Sequence, residues 1–254
     1  MATKDHQSEP IESASETLQR IFDGHGSVLG SQMADESSRY DVLKKTDFPK
    51  PQRTRRIAVA NQKGGVGKTT STVNTAAALA NKGAQVLVID MDPQGNASTA
   101  LGVSHASGEP SVYDVIEGRS DLGDVITVCP DFPTLDVVPA SIDLSGAELE
   151  VADLPNRNTL LKEALDLYLR QSDKHYDYVF IDCPPSLGLL VINAMCAVTE
   201  MLIPIQAEYY ALEGLGQLIN TIGLVQEHFN PVLLVSTMLV TMFDRRTLLS
   251  REVY

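Results

Sequence analysis

The ten residues Asn61-Gln62-Lys63-Gly64-Gly65-Val66-Gly67-Lys68-Thr69-Thr70 constrain the fold of this chain more than any other stretch. Glycines at 64, 65 and 67 let backbone N–H groups close around phosphate oxygens. The ending Gly67-Lys68-Thr69 places a lysine at the outer phosphates and a hydroxyl at a magnesium ion. The flanks suit such a loop. Residues 56–61, Arg-Ile-Ala-Val-Ala-Asn, form a short apolar run of the kind buried in a parallel sheet. Residues 70–82 are rich in alanine, with Val73 and Leu79 among them, and Gly83 ends them as a helix. Strand, glycine-rich turn and helix belong together because the helix N-terminus brings partial positive charge to the phosphate. The loop is a variant form: the common pattern has its first glycine where this chain has Gln62. Lys63 supplies an extra cation five residues before Lys68. It is badly placed to serve the same phosphate in the same way, which leaves it for another task, such as a nucleotide held by a second subunit.

Two further strands end on carboxylates. Residues 84–90 run apolar into Asp90, then Met91-Asp92-Pro93, and residues 176–182 run apolar into Asp182. In an open α/β sheet that end of the strands is where ligands bind. Asp182 is expected to hold Mg²⁺ through water. Asp90 and Asp92 lie two apart and share a face in an extended chain, so one of them is expected to orient an attacking water. Helix caps or turn residues are the plainer reading of each. Beyond Asn96 the alternation continues. Helices are expected over residues 112–117, 141–152, 159–171, 187–198 and 212–228, and strands over 135–139, 201–206 and 232–240. The fold class is therefore α/β, a P-loop NTPase with a mostly parallel sheet and helices on both faces.

Composition bounds the rest. With 254 residues and 43% apolar content the chain holds one substantial domain, placed at residues 53–254. Residues 1–52 are polar and acidic, with few large apolar side chains, and read as a disordered extension. Residues 13–22 within it read as a transient amphipathic helix in a solvated tail. No secretion leader and no membrane-length apolar run is visible, so no stable membrane association is expected. Cys129, Cys183 and Cys196 lack paired metal spacing and read as reduced structural thiols.

Residues 63–70, Asp90-Met-Asp92-Pro-Gln-Gly-Asn96 and Asp182-Cys-Pro-Pro-Ser186 together resemble the ParA/MinD group of deviant Walker ATPases. The segments Gln206–Gly214 and Thr241-Met-Phe-Asp-Arg-Arg-Thr247 resemble the chromosomal ParA (Soj) branch in particular. The resemblance runs from about Arg55 to the last residue. It implies two subunits sandwiching ATP and Mg²⁺, with Lys63 crossing to the partner's nucleotide. It further implies residues 63–70 (Lys63, Gly64, Gly65, Val66, Gly67, Lys68, Thr69, Thr70) around the nucleotide and Lys68 on the β/γ-phosphates. Thr69 and Asp182 would hold the metal, and Asp92 would act in hydrolysis. It implies slow hydrolysis stimulated by a ParB-type partner, non-specific DNA binding, and a cytoplasmic, nucleoid-associated protein. A net charge of −13 is the wrong sign for a generic nucleic-acid binder, so DNA contact needs basic residues gathered on one face. Arg245, Arg246 and Arg251 are the visible cluster, and Arg246 matches the arginine that the family places at DNA. Pairing with Asp244 and Glu252 is the alternative for these arginines.

Members of that family continue past the position of Tyr254, with elements that include an Ile-Pro-Arg-Asn segment over the adenine. The expectation is a complete phosphate half-site, with C-terminal elements and adenine contacts missing. Three other functions remain open: a MinD-like membrane-associated positioning ATPase, which requires a C-terminal amphipathic helix; a nitrogenase-iron-protein-like electron carrier, which requires cluster-ligating cysteines; and a truncated, non-catalytic interaction protein.

Overall fold

The computed structural model describes residues 28–46, 48–207 and 211–243, with side chains described from residue 33 onward except at 211–213. Seven strands form its sheet: β1 (Arg55–Val59), β2 (Val86–Asp90), β3 (Thr127–Val128), β4 (Leu135–Val138), β5 (Tyr178–Asp182), β6 (Glu200–Gln206) and β7 (Leu234–Thr241). Their order is β3-β4-β2-β5-β1-β6-β7, with every pair parallel except β3 against β4. The sequences explain the placement. Central strands of a sheet covered on both faces read as continuous apolar runs, and β2, Val-Leu-Val-Ile-Asp, is buried at every position. Successive side chains point to opposite faces. Val86, Val88, Val59 and Phe180 enter one apolar cluster, while Leu87, Ile89, Ala58 and Ile181 enter the other.

The first helix, α1 (Val28–Lys45), belongs to the unit that ends at Pro49. In the second unit, helices cover both faces of the sheet: α2 (Lys68–Asn81), α3 (Asn96–Ala100), α4 (Val112–Ile116), α5 (Leu144–Glu150), α6 (Leu160–Gln171), α7 (Leu189–Ala197) and α8 (Ala211–His228). On α2 the buried stripe is Lys68, Thr72, Ala76 and Ala80, spaced by one turn each. Small residues there let the helix lie close to the sheet, as the phosphate loop requires. On α6 the buried pair is Leu161 and Leu165. Asn193 locks α7 to the segment before α6: its buried amide donates to the carbonyls of Arg157 (2.7 Å) and Leu189 (3.1 Å) and accepts from the Leu161 N–H (3.2 Å).

The α/β class and the parallel order agree with the sequence reading, and each helix and strand expected beyond Asn96 is present within a few residues. Three features differ. First, Val28–Lys45 is helical inside a segment expected to be disordered. Its apolar residues Met33, Tyr40, Val42 and Leu43 are exposed, so the composition did signal the lack of a core there. A helix needs no core to form locally: good helix formers and the Lys44-Lys45 pair in its last turn favour it. Contacts divide the chain between Pro49 and Lys50. Second, the short helix α3 starts directly after Gly95, which takes the left-handed conformation (φ 62°). Third, the two-residue β3 closes one sheet edge antiparallel to β4. The expected helix over residues 13–22 lies outside the described residues.

Candidate phosphate and metal site

The loop between β1 and α2 is built as its sequence requires. Gly65 (φ 74°) and Gly67 (φ 88°) sit in the left-handed region that a side chain resists. Lys68 opens α2 and is buried, with its Nζ donating to the Lys63 carbonyl at 3.3 Å. Burial pushes the Lys68 ammonium below its usual range, and the nearby Asp182 and Asp92 carboxylates oppose that shift. Thr69 is one step further along the helix, and its hydroxyl donates to Asp182 Oδ2 at 2.7 Å. Thr72, one turn later, donates to Asp182 Oδ1 at 3.0 Å. Both oxygens of one buried carboxylate are thus held by hydroxyls of the helix that the loop launches.

Register brings the acids together. Asp90 at the end of β2 is the direct partner of Asp182 at the end of β5. Neither is exposed at all. Burial is the main force raising the Asp182 carboxyl, to about 7; the Thr69 and Thr72 hydroxyls pull it down, while Asp90 and Asp92 add repulsion. Asp90 is also raised by burial, and is steadied by the Ser98 N–H (2.8 Å), the Ser98 hydroxyl (2.7 Å) and the Asp92 N–H (3.2 Å). Asp90 therefore fastens the start of α3 to the sheet. Asp92 differs: its side chain accepts from the Gln94 N–H at 3.0 Å and lies in the loop beyond the strand, near Lys68. Asp90 is thus engaged by the start of α3, whereas Asp92 is bound to its own loop through Gln94 and acts on the charge of Lys68.

The sequence reading missed two residues that tie distant segments to the loop. The Asn61 amide donates to the Pro204 carbonyl on β6 at 2.7 Å, and its oxygen accepts from the Lys63 N–H at 3.0 Å. Thr241, at the end of β7, donates its hydroxyl to the Val66 carbonyl at 2.9 Å. The chain then turns sharply through Met242, whose φ is +53°. Asn61 stands inside the loop motif, which was its only signal; Thr241 carried none beyond its place in a family-like segment. The structure thus brings together Lys63, Lys68, Thr69, Asp92 and Asp182 around the loop, and Thr70 lies exposed in the first turn of α2. Arg245, Arg246 and Arg251 lie outside the described residues. Cys129, Cys183 and Cys196 are all buried thiols. No helix among the described residues is long and apolar enough to cross a membrane.

This combination of phosphate loop, acid-tipped strands and parallel order recurs in known proteins. Residues 54–235 match the family model described as an AAA domain. The chain is 50% identical over 197 residues to the sporulation initiation inhibitor protein Soj of Bacillus subtilis, covering 78% of this chain and 76% of that protein. It is 46% identical over 197 residues to the chromosome partitioning protein ParA of Caulobacter vibrioides, covering 78% and 73%. Among solved structures, cobyrinic acid a,c-diamide synthase from Mycobacterium smegmatis with bound ADP and magnesium superposes with a TM-score of 0.72 at 40% identity, covering 79% of each chain. A putative plasmid partition protein from Borrelia burgdorferi bound to AMPPNP superposes with a TM-score of 0.68 at 25% identity, covering 80% and 81%. The family match covers the loop, the acids and the strands from β1 through β6, and on that extent the chain belongs to the ParA/Soj family of chromosome-partitioning ATPases.

Proposed function

We propose that this protein is an ATP- and Mg²⁺-dependent partitioning ATPase that dimerises on ATP, binds DNA without sequence preference and is stimulated by a ParB-type partner. The observation that carries the reading is the cluster of buried Lys68 and Asp182 with half-buried Thr69: a desolvated ammonium beside a hydroxyl already seated on a carboxylate. The donor set suits the implied ligands. A hydroxyl and a carboxylate are hard oxygen donors of the kind Mg²⁺ takes, usually with waters retained. The glycines at 65 and 67 leave the loop open to close approach, with nothing within 4 Å of an added Cβ at Gly65. Bound Mg²⁺-ATP supplies the transferable phosphoryl group and the local positive charge that keeps a carboxylate ionised.

The chain's own residues then divide the work. Residues 63–70 line the phosphates, and Lys68 stabilises charge there more strongly for being desolvated. Thr69 and Asp182 hold the metal, directly or through water. Asp92 accepts a hydrogen bond from the attacking water and orients it. Lys63 reaches the nucleotide of a second subunit, so hydrolysis is coupled to dimerisation. Arg246 contributes to DNA contact. Residues 53–254 form the ATPase body, residues 1–52 are an extension to it, and the protein works in the cytoplasm at the nucleoid. The partitioning relatives match at higher identity than the structure named as a diamide synthase, which favours this reading over an amidation.

The test is phosphate release by the purified chain, with and without duplex DNA and a ParB-type protein, beside a Lys63→Ala variant. The reading expects slow turnover, stimulation by the two together, and loss of that stimulation in the variant. Full stimulation without Lys63 contradicts the cross-subunit role.

A further inference from the structure

A second concentration of charge lies at the opposite edge of the sheet. Parallel strands share one edge for all their starts, so Arg53 and Arg56 at β1, Val198 before β6 and Val232 before β7 come together there. They line a hollow of about 600 Å³ that α6 closes on one side with Lys162, Asp166 and Arg170. Its lining holds four cations against one carboxylate, in a chain whose net charge is −13. Asp166 is shared by Arg56 (2.5 Å) and Lys162 (2.5 Å). Burial works against the ionised Asp166, yet those two hydrogen bonds hold its carboxyl below the usual range. Arg53 and Arg170 are exposed, and neither has an ion pair among the described residues. Two cations therefore face the hollow uncompensated.

The floor is of another character. Ala197, Val198 and Cys196 are buried beneath it, and Val232 stands 63% exposed at its rim. Asn230 makes that floor rigid: its buried amide donates to the carbonyls of Met195 (2.8 Å) and Val198 (2.7 Å), satisfying groups that the end of α7 leaves unpaired. A phosphodiester backbone uses the cations and leaves the apolar floor unfilled. A peptide with acidic residues flanking an aliphatic side chain uses both, burying the apolar group while its charges meet the arginines. In a chain of net charge −13, a positive hollow also helps steer acidic segments toward it.

We propose that this groove, lined by Arg53, Arg170 and Val232, binds an acidic peptide segment of a partner protein through an aliphatic anchor. It lies away from the phosphate loop, so the surface is independent of the nucleotide chemistry above.

The experiment uses the full chain and two fluorescent probes: a dodecapeptide of glutamates with two central leucines, and a random 24-base-pair duplex. Anisotropy titrations compare the native protein with an Arg53→Glu/Arg170→Glu variant and a Val232→Gln variant, all at exposed positions. Thermal melting and phosphate release serve as checks of folding. The expected result is saturable peptide binding that falls at least about tenfold with charge reversal and about threefold with Val232→Gln. Duplex affinity and phosphate release should be unchanged. Three results overturn the proposal: no peptide binding to the native chain; a loss of duplex rather than peptide affinity, which makes the hollow a nucleic-acid surface; or a change of oligomeric state on charge reversal, which makes it a contact between copies of this chain.

Discussion

The two edges of the sheet treat charge in opposite ways. At the carboxyl edge, Asp90, Asp182 and Lys68 are sealed from water, and each is pushed toward its neutral form. At the amino edge, half-exposed Arg55 pairs with Glu200, and Arg53 and Arg170 are solvated. Burial makes the first set expensive to hold and strongly responsive to a ligand of opposite charge. Solvation makes the second set cheap to hold and useful mainly for steering. Substitutions at the carboxyl edge should therefore change chemistry and stability together, while those at the amino edge should change association alone.

Removing the buried cation should have the largest effect. Lys68→Ala is expected to lower phosphate release by about 10²–10³-fold, the range for loss of one preorganised electrostatic group; initial rates at one fixed Mg²⁺-ATP concentration, native chain beside variant, measure it. Asp182→Asn separates stability from function. An ordinary Asp titrates near 3.9 in an unfolded chain, whereas Asp182 in the folded protein is raised to about 7. The folded state holds that proton more tightly, so this group's contribution is lost as pH rises from about 4 through about 7. At pH 8, without metal, Asp182→Asn should stabilise the fold by on the order of 2–4 kcal/mol and abolish metal-dependent turnover. Denaturant melts across pH check the sign; a variant less stable than the native protein at pH 8 breaks the comparison.

Gly67→Ala comes next. An added Cβ meets Thr241 Cγ2 at an ordinary 3.7 Å, so the cost is backbone conformation at φ 88° and not crowding. About 1–2 kcal/mol of stability should be lost, with weaker nucleotide binding by calorimetry. Thr241→Val removes the hydroxyl tie to the Val66 carbonyl. It should cost about 1 kcal/mol and weaken nucleotide affinity a few-fold. At the amino edge, Arg55→Ala breaks a half-exposed pair with Glu200. Its effect should stay below about 1 kcal/mol, and turnover should not change. A large loss of activity there would erase the distinction between the edges.

What could be read from the chain follows the range of each interaction. The loop, its flanking strand and helix, and the acid-tipped strands are local patterns, and the sequence displays them directly. The choice between Asp90 and Asp92 was not local. It depends on Ser98 reaching back to Asp90 and on the register that sets Asp90 beside Asp182. The Asn61 and Thr241 ties join segments 143 and 175 residues apart, where no periodicity connects the partners. The amino-edge hollow is still harder to foresee, since its cations come from β1 and α6 and its rim from the start of β7. Parallel topology brings those pieces together, and topology becomes visible only with the sheet order in hand.

The Lys68–Thr69–Asp182 cluster has the donors of a Mg²⁺-dependent nucleotide site. Titration of a fluorescent ATP analogue into the native chain and into Lys68→Ala, each with Mg²⁺ and with EDTA, tests it most directly. Tight binding by the native chain in Mg²⁺ is expected, with a marked loss in EDTA and little binding by the variant in either. Equal affinity in all four titrations, or none in the native chain with Mg²⁺, would contradict it.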